Sequence, residues 1–205
     1  MIISLTPEHK DGLHLMDIVL APPIAGLRYA EHFLTPAEQS NLLDIIDGLP
    51  WHTDHERRLQ HYGWRFDYSS RRDDPDQFLG LLPVWAATLA ERLKLDGFLD
   101  DVPDQLVVNE YQPGQGLDPH IDCIPCFGEV ITTISLGGAC VMDFTSIDSS
   151  EAYALTLEPG SLMVLAGDAR YRWEHGIAAR MSDGVNGTAR LRTRRVSLTF
   201  RHVTR

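Results

Sequence analysis

The segment from Gln105 onward consists of short runs of β-favouring residues separated by glycine and proline. Strand-like runs cover residues 106–111, 130–136, 139–144, 152–157, 161–165 and 195–202. Turn signals fall at 113–114, 137–138, 159–160 and 167–168. Many short strands at this spacing are typical of a sandwich or barrel. We therefore predict a mainly β fold with flanking helices (α+β) and a core over residues 105–203.

Two helices are predicted before this β-rich part. Thr35-Pro36-Ala37-Glu38 combines a capping threonine, a proline at the first helical position and a glutamate that completes a capping box. A second helix is predicted over residues 83–95, with three residues facing inward: Trp85, Leu89 and Leu93. We expect both helices to pack outside one sheet. Residues 1–26 form a mixed lead-in, and residues 51–80 are aromatic, Arg-rich and predicted to be irregular.

The length and composition suit one globular domain over residues 1–205, since 43% of the residues are hydrophobic. No apolar run approaches the ~18 residues that a membrane helix needs, so we expect no membrane association. Three cysteines cannot make a disulfide framework, which favours a reducing, cytoplasmic location. Cys123 and Cys126 are interpreted as plain loop cysteines. We expect a monomer.

The formal net charge of −11 argues against a protein that coats nucleic acid through charge alone. The charge is uneven, because residues 170–205 contain nine arginines and only two acidic residues, Glu174 and Asp183. This distribution is compatible with a local basic face on an acidic body. It is equally compatible with a solvated, Arg-rich strand and loop, and the sequence leaves both interpretations open.

His120-Ile121-Asp122 is the sharpest chemical feature of the sequence. On an extended segment residues i and i+2 point to the same side, so an imidazole and a carboxylate could bind one ion. His175 is a candidate third ligand. Two histidines and one carboxylate leave three positions open, which suits non-haem Fe(II) with a chelating co-substrate and O2. The alternatives are a surface-loop histidine at 120 and a hydrogen-bonded core histidine at 175.

The last strand-like run alternates polar and apolar residues. One face carries the polar set Arg195, Ser197, Thr199 and Arg201. Two arginines leaning inward would leave a gap for a small dicarboxylate, because the planar guanidinium pairs bidentately with carboxylate. The alternative is an edge strand with exposed arginines.

These elements, in this order, resemble the AlkB family of Fe(II)- and 2-oxoglutarate-dependent dioxygenases. The resemblance covers roughly residues 28–203. It rests on Asn109-Glu110-Tyr111-Gln112-Pro113-Gly114-Gln115-Gly116, His120-Ile121-Asp122, His175 and the pair Arg195 and Arg201. It implies a double-stranded β-helix (jelly-roll) fold. Details around residues 111–122, 141–144 and 170–176 look closest to the branch that hydroxylates a modified wobble uridine in tRNA.

The resemblance also implies a role for each matching residue. The Fe(II) ligands would be His120, Asp122 and His175. Asn109 and Tyr111 would contact 2-oxoglutarate, and Arg195 would pair with its distal carboxylate. Arg201 would lie near the metal-bound end and help to hold the aspartate ligand. Ser197 stands where some relatives have an asparagine, so one hydrogen bond to the co-substrate would differ.

The activity implied by the resemblance is hydroxylation or oxidative dealkylation of a modified base in tRNA or another nucleic acid, RNA or DNA. Fe(II) would be the cofactor, with 2-oxoglutarate and O2 as co-substrates. Two alternatives stay open. One is the same chemistry on a protein side chain, and the other is a jelly-roll module that binds a ligand without turnover.

Residues 57–72 contain five arginines interleaved with aromatic residues, and residues 61–68 resemble part of the substrate lid of relatives, so residues 51–80 are the candidate lid. If this segment is extended, four rings lie on one side and could stack on a base while the arginines contact phosphate. A hairpin that packs the rings into the core is the alternative. The candidate substrate residues are Arg57, Arg58, Tyr62, Trp64, Arg65, Phe66 and Tyr68.

Overall fold

The computed structural model describes residues 21–53, 56–65, 77–185 and 187–204. In chain order the elements within these ranges are β1 (Leu27–Ala30), α1 (Pro36–Asp47), β2 (Leu59–Tyr62), α2 (Val84–Leu95), β3 (Gln105–Tyr111), β4 (Leu117–His120), β5 (Ile131–Gly137), β6 (Cys140–Ser146), β7 (Ala152–Leu157), β8 (Leu162–Leu165), α3 (Gly167–Tyr171), β9 (Trp173–Ile177), β10 (Ser182–Val185), β11 (Thr188–Leu191) and β12 (Arg195–Arg201).

Most strands belong to two antiparallel sheets. The larger sheet has six strands in the order β1-β8-β5-β12-β3-β2, the smaller has four in the order β4-β9-β6-β7, and β10 pairs with β11. One hydrophobic cluster lies between the sheets, since it contains Tyr111 and Met163 from the larger and Phe144 and Trp173 from the smaller. Two facing antiparallel sheets, in which adjacent strands are often distant in sequence, form a jelly roll. The predicted fold class is therefore confirmed.

The two predicted helices lie against the outer face of the larger sheet. The capping box of α1 is present: the Glu38 N–H donates to Thr35 Oγ1, and the Thr35 N–H donates to Glu38 Oε2 at 2.7 Å. Ile46 of α1 and Leu93 of α2 are buried in one cluster with the apolar residues of β12, which are Val196, Leu198 and Phe200. This packing fixes one face of β12.

β12 lies between β3 and β5, and all of its residues are buried. The alternative of an edge strand with exposed arginines is therefore wrong. Because side chains alternate along a strand, the face opposite the helices points into the space between the two sheets. That face carries the polar residues of β12.

Several local features differ from the prediction, and the strands β1, β10 and β11 are not among the predicted runs. Residues 51–80 are not irregular throughout, because Leu59–Tyr62 pairs with β3. Residue 167 begins the short helix α3, where only a turn is predicted. The strands β4 and β9 are short and partly polar, and pairing with their neighbours stabilises them despite their weak strand pattern. Within the described ranges, none of the helices combines the length and apolar character that crossing a bilayer requires.

Candidate metal centre and its cavity

The two candidate histidine ligands meet because β4 pairs with β9. His120 and His175 are Cα partners in this pairing, and their ring centroids lie 4.5 Å apart. Gly176 permits the close approach of the two strands, since a Cβ there would lie 3.0 Å from the carbonyl oxygen of Leu117 and the nitrogen of Pro119. Ladder pairing therefore brings together two imidazoles that are far apart in sequence.

Asp122 completes the cluster just beyond the end of β4. Its Oδ1 lies 3.9 Å from His120 Nε2, and its Oδ2 lies 3.9 Å from His175 Nε2. One ligand atom from each of the three residues lies within 4.8 Å of the others. Two imidazoles and one carboxylate are the donor set of the facial triad of non-haem Fe(II) oxygenases, so these residues fit that metal.

The protonation states suit a divalent cation. His120 Nδ1 lies 2.8 Å from the carbonyl oxygen of Asp118, a contact that places the proton on Nδ1 and leaves Nε2 as the ligand atom. Burial lowers the pKa of His175 to about 4, although the nearby Asp122 charge opposes this, so the imidazole is neutral at pH 7. Burial raises the pKa of Asp122, but the Arg201 charge and other nearby positive charges outweigh it and hold this pKa below its usual value.

These three side chains line a cavity of about 760 Å³ between the sheets. The five residues predicted to contact the co-substrate line the same cavity: Asn109, Tyr111, Arg195, Ser197 and Arg201. Strand register explains this, because Arg195 is the partner of Tyr111 and Ser197 is the partner of Asn109 across β12 and β3. The cavity therefore joins the metal cluster to a row of polar groups.

Arg195 is the strongest indication of an anion site in the cavity. Its side chain is only 2% exposed, and its Nη2 donates to Ser135 Oγ at 2.9 Å. Its Nε is buried without a hydrogen-bond partner, as are those of Arg170 and Arg201, but of these three arginines only Arg195 lacks a carboxylate or carbonyl partner among the described residues. A buried cation with an unsatisfied donor is costly unless an anion binds there, and the distal carboxylate of 2-oxoglutarate fits this requirement.

Arg201 lies at the other end of the row. Its Nη2 donates to Asp122 Oδ1 at 2.9 Å, and both side chains are at least 90% buried. This contact agrees with the expectation that Arg201 helps to hold the aspartate ligand. The Asp122 oxygen on the other side faces His175.

Cys123 and Cys126 are joined by a disulfide, so their interpretation as plain loop cysteines is wrong. The turn after Asp122 brings their Cα atoms to 5.3 Å, within the range that a disulfide requires. A count of three cysteines could not reveal this pairing, because it depends on the local backbone path rather than on a framework of several bridges.

The candidate substrate arginines occupy different environments. Arg57 lines the cavity, where its Nε donates to Asn109 Oδ1 at 3.2 Å and its guanidinium lies 5.4 Å from the centre of the Tyr111 ring. Arg58 instead forms an ion pair with Glu110, which neutralises its charge outside the cavity. Arg65 is exposed. Of these three arginines, only Arg57 therefore lies where it can contact a substrate at the metal centre.

The interpretation with the aromatic rings on one side is wrong for Tyr62 and Trp64, which instead pack against the hydrophobic clusters as in the alternative interpretation. Tyr62 packs edge-on against Trp85 of α2, with centroids 5.5 Å apart, whereas Trp64 packs on Phe78 and against the cluster between the sheets. The reason is Gly63, whose φ of +77° breaks the extended alternation. Phe66 and Tyr68 lie outside the described residues.

As far as the structure describes it, the Arg-rich C-terminal part does not form an unpaired basic face. Six of its described arginines form ion pairs with carboxylates: Arg172, Arg180, Arg190, Arg192, Arg194 and Arg201. Their partners are spread over the chain from Asp47 to Asp183. The uneven charge distribution of the sequence is thus balanced locally in the fold.

Sequence reasoning missed two residues that support the site. Ser135 of β5 accepts a hydrogen bond from Arg195, and it lies there because it pairs with Ser197 in the sheet. Arg170 of α3 donates to the backbone of the aspartate ligand's loop. A strand register could have suggested Ser135, but no sequence signal distinguishes Arg170 from the other arginines of that region.

A model of the 2OG-Fe(II) oxygenase superfamily matches residues 26–201. The "Uncharacterized protein L905" of Acanthamoeba polyphaga mimivirus is 35% identical over 187 residues, covering 89% of this chain and 87% of that protein. The "Alkylated DNA repair protein ALKBH8 homolog" of Arabidopsis thaliana is 37% identical, covering 88% of this chain. The "tRNA (carboxymethyluridine(34)-5-O)-methyltransferase ALKBH8" of Mus musculus is 34% identical, covering 84% of this chain. The chain spans 59% and 27% of the lengths of these last two relatives.

Solved structures show the same fold. The structure of OsALKBH1 matches with a TM-score of 0.65 at 20% identity, covering 86% of this chain and 96% of that one. A Pseudomonas putida prolyl-4-hydroxylase matches with a TM-score of 0.53 at 16% identity, covering 86% of this chain and 92% of that one. At these identities the likeness concerns the fold alone.

Proposed function

We propose that this chain, which belongs to the 2OG-Fe(II) oxygenase superfamily, hydroxylates or oxidatively dealkylates a modified base in tRNA or another nucleic acid. The chain is an Fe(II)- and 2-oxoglutarate-dependent dioxygenase by membership of that family. The single observation that supports the chemistry best is the cavity that joins the His120–Asp122–His175 cluster to the buried Arg195, which pairs with no carboxylate in the described part of the chain. What we propose beyond the family's chemistry is the class of substrate, a modified base in nucleic acid.

The residues of the cavity have separate roles in the reaction. His120, Asp122 and His175 would hold the iron, which with 2-oxoglutarate and O2 supplies an oxidant for a C–H bond and leaves succinate and CO2. Arg195 binds the distal carboxylate and fixes the co-substrate's orientation. The apolar lining, which includes Met142, restricts water around the reacting C–H bond. If that carbon is bonded to nitrogen, the hydroxylated product releases an aldehyde.

The arginines of the cavity support an anionic or phosphate-bearing substrate. Arg201 is paired with Asp122, and Arg195 is assigned to the co-substrate. Arg57 remains, and its described contacts are the uncharged groups of Asn109 and Tyr111. A guanidinium at the cavity wall can pair with a phosphate or with an acidic substituent of a base. This placement agrees with the similarity to the Mus musculus tRNA (carboxymethyluridine(34)-5-O)-methyltransferase ALKBH8.

A protein side chain is the second candidate substrate. It is supported by the net charge of −11 and by the carboxylate pairing of the C-terminal arginines, both of which weaken a long nucleic-acid interface. A nucleic-acid substrate predicts that RNA or DNA accelerates 2-oxoglutarate turnover, whereas a protein substrate predicts that peptides do.

The test is 2-oxoglutarate turnover with Fe(II) and ascorbate, measured as succinate, in the presence of transfer RNA, single-stranded DNA or a peptide pool. We expect transfer RNA to accelerate turnover most and nucleoside mass spectrometry to show an oxygen gained or an alkyl group lost. Asp122→Ala, which lacks one of the three iron ligands, is the control and should form no succinate. Acceleration by peptides alone would overturn the nucleic-acid proposal, and no succinate under any condition would indicate a binding module.

A further inference from the structure

Among the residues that the structure describes, Arg170 is the largest fully buried side chain, although it is charged. It belongs to the short helix α3, directly before the strand that carries His175, and it is 2% exposed. No carboxylate among the described residues forms an ion pair with it. A guanidinium is rarely buried in this way unless its donors have specific partners.

The partners of Arg170 are two successive backbone carbonyls. Its Nη1 donates to the Asp122 carbonyl oxygen at 2.8 Å, and its Nη2 donates to the Cys123 carbonyl oxygen at 3.0 Å. The guanidinium also lies 5.1 Å from the ring centre of Tyr171. Because its donors are held in one plane, a guanidinium can fix two neighbouring acceptors at once.

The backbone that Arg170 holds lies outside the sheet ladder. β4 ends at His120, so ladder hydrogen bonds do not fix the peptide of Asp122. Arg201 holds the Asp122 side chain through Oδ1, but that contact alone does not set where the Cα lies. Two arginines thus act on one ligand from different ends, one on the carboxylate and one on the main chain.

We infer that Arg170 is a positioning residue for the iron site, which holds the main chain of Asp122 so that its carboxylate faces both histidines. Arg170 also links the two halves of the cluster, because α3 leads directly into β9 and His175. The inference rests on the proposed role of the His120–Asp122–His175 cluster as the metal site, not on the identity of the substrate.

Charge and positioning predict opposite effects when Arg170 is removed. A positive charge close to the site repels a divalent cation, so a purely electrostatic role would leave Fe(II) affinity equal or higher after Arg170→Met. A positioning role predicts weaker Fe(II) binding, since loss of groups that orient metal ligands typically costs about 10- to 100-fold in metal affinity. The direction of the change therefore separates the two.

The experiment is an anaerobic calorimetric titration of the full chain with Fe(II). It compares the parent with Arg170→Met and Arg170→Lys. We expect at least about 10-fold weaker Fe(II) binding for Arg170→Met and an intermediate value for Arg170→Lys, which keeps the charge but not the planar fork. If Arg170→Met does not fold, the Arg170→Lys result decides. An affinity within about twofold of the parent in the folded variants would overturn the inference.

Arg192→Met is the matched control. Arg192 is also a buried arginine, but it binds Asp183 and the carbonyls of Gln115 and Ala178 and lies outside the cavity lining. We expect this variant to lose stability while keeping the Fe(II) affinity of the parent. Equal losses of affinity in the Arg170 and Arg192 variants would show a general structural effect and would contradict the positioning role. Failure of every variant and the parent to bind Fe(II) would instead reject the metal site itself.

Discussion

His120 and His175 face each other as register partners of β4 and β9, with ring centroids 4.5 Å apart. This pairing fixes the Cα atoms of the two histidines side by side, because the strand ladder holds their backbones in register. Asp122, in the loop after β4, then places its carboxylate beside both imidazoles. The metal centre is thus built from one ladder contact and one loop residue.

Replacing the ligands tests the metal centre. We expect His120→Ala and Asp122→Ala each to abolish succinate formation and to leave the circular dichroism spectrum unchanged, because the side chains face a cavity rather than the main hydrophobic clusters. His202→Ala, an exposed histidine outside the cavity, is the matched control and should keep parental turnover. Retained turnover in both ligand variants would reject the assignment.

Arg195 tests the co-substrate site. Charge-assisted hydrogen bonds contribute roughly 1.5–3 kcal/mol, so Arg195→Ala should weaken 2-oxoglutarate binding by about 10- to 150-fold. The measurement is the KM for 2-oxoglutarate at saturating iron. Arg194→Ala is the control, since this neighbour points to Asp47 and Glu110 instead of the cavity. An unchanged KM in Arg195→Ala would exclude the proposed role.

Arg57 tests substrate recognition. If its guanidinium pairs with an oxyanion of the substrate, Arg57→Ala should raise the KM for the nucleic-acid substrate by about 10-fold and change the KM for 2-oxoglutarate much less. Arg58→Ala serves as the comparison, because Arg58 is paired with Glu110 outside the cavity. The opposite pattern, a change confined to 2-oxoglutarate, would show that Arg57 acts only through Asn109.

The salt dependence of nucleic-acid binding should be weak. Ion pairing leaves Arg57 and Arg65 as the available described cations of the candidate lid, and two phosphate contacts on a single strand predict a log–log slope of about −1.4. An unpaired face of nine arginines would give about −6. Fluorescence anisotropy of a labelled RNA between low and high salt measures the slope, and a value near −6 would contradict the pairing described above.

The pH dependence of stability tests the Asp183 cluster. Burial raises the pKa of Asp183, but hydrogen bonds from Arg192 and Arg180 outweigh it and hold this pKa below its usual value. A lowered carboxyl pKa stabilises the fold above the unfolded-state pKa, and this contribution is lost as the pH falls through the folded-state pKa. We expect Asp183→Asn to cost about 3 kcal/mol at pH 7. The difference from the parent should shrink below about pH 4.

Urea denaturation at several pH values measures this effect. Asp148→Asn is the control, because Asp148 pairs with Arg172 at an exposed position and its loss should not change stability measurably. A difference between the parent and Asp183→Asn that is constant from pH 7 to pH 3 would show that Asp183 contributes through packing instead of charge.

The sequence by itself determined some of the elements and the residue types of the site. Alternation along 195–201 placed the polar and apolar residues of β12 on opposite faces, because side chains on a strand have a period of two. Thr35 and Glu38 determined where α1 begins, since a capping box needs only residues three apart. Both signals are local, so the sequence suffices for them.

Only the tertiary structure decided which charges remain available and which loops are fixed. Gly63 sends Tyr62 and Trp64 to different clusters, and distant carboxylates such as Asp47 neutralise the C-terminal arginines. The burial of Arg170 against the Asp122 loop likewise follows from how α3 packs. Ion pairs and burial depend on residues far apart in sequence, so composition could show the positive charges but not their partners.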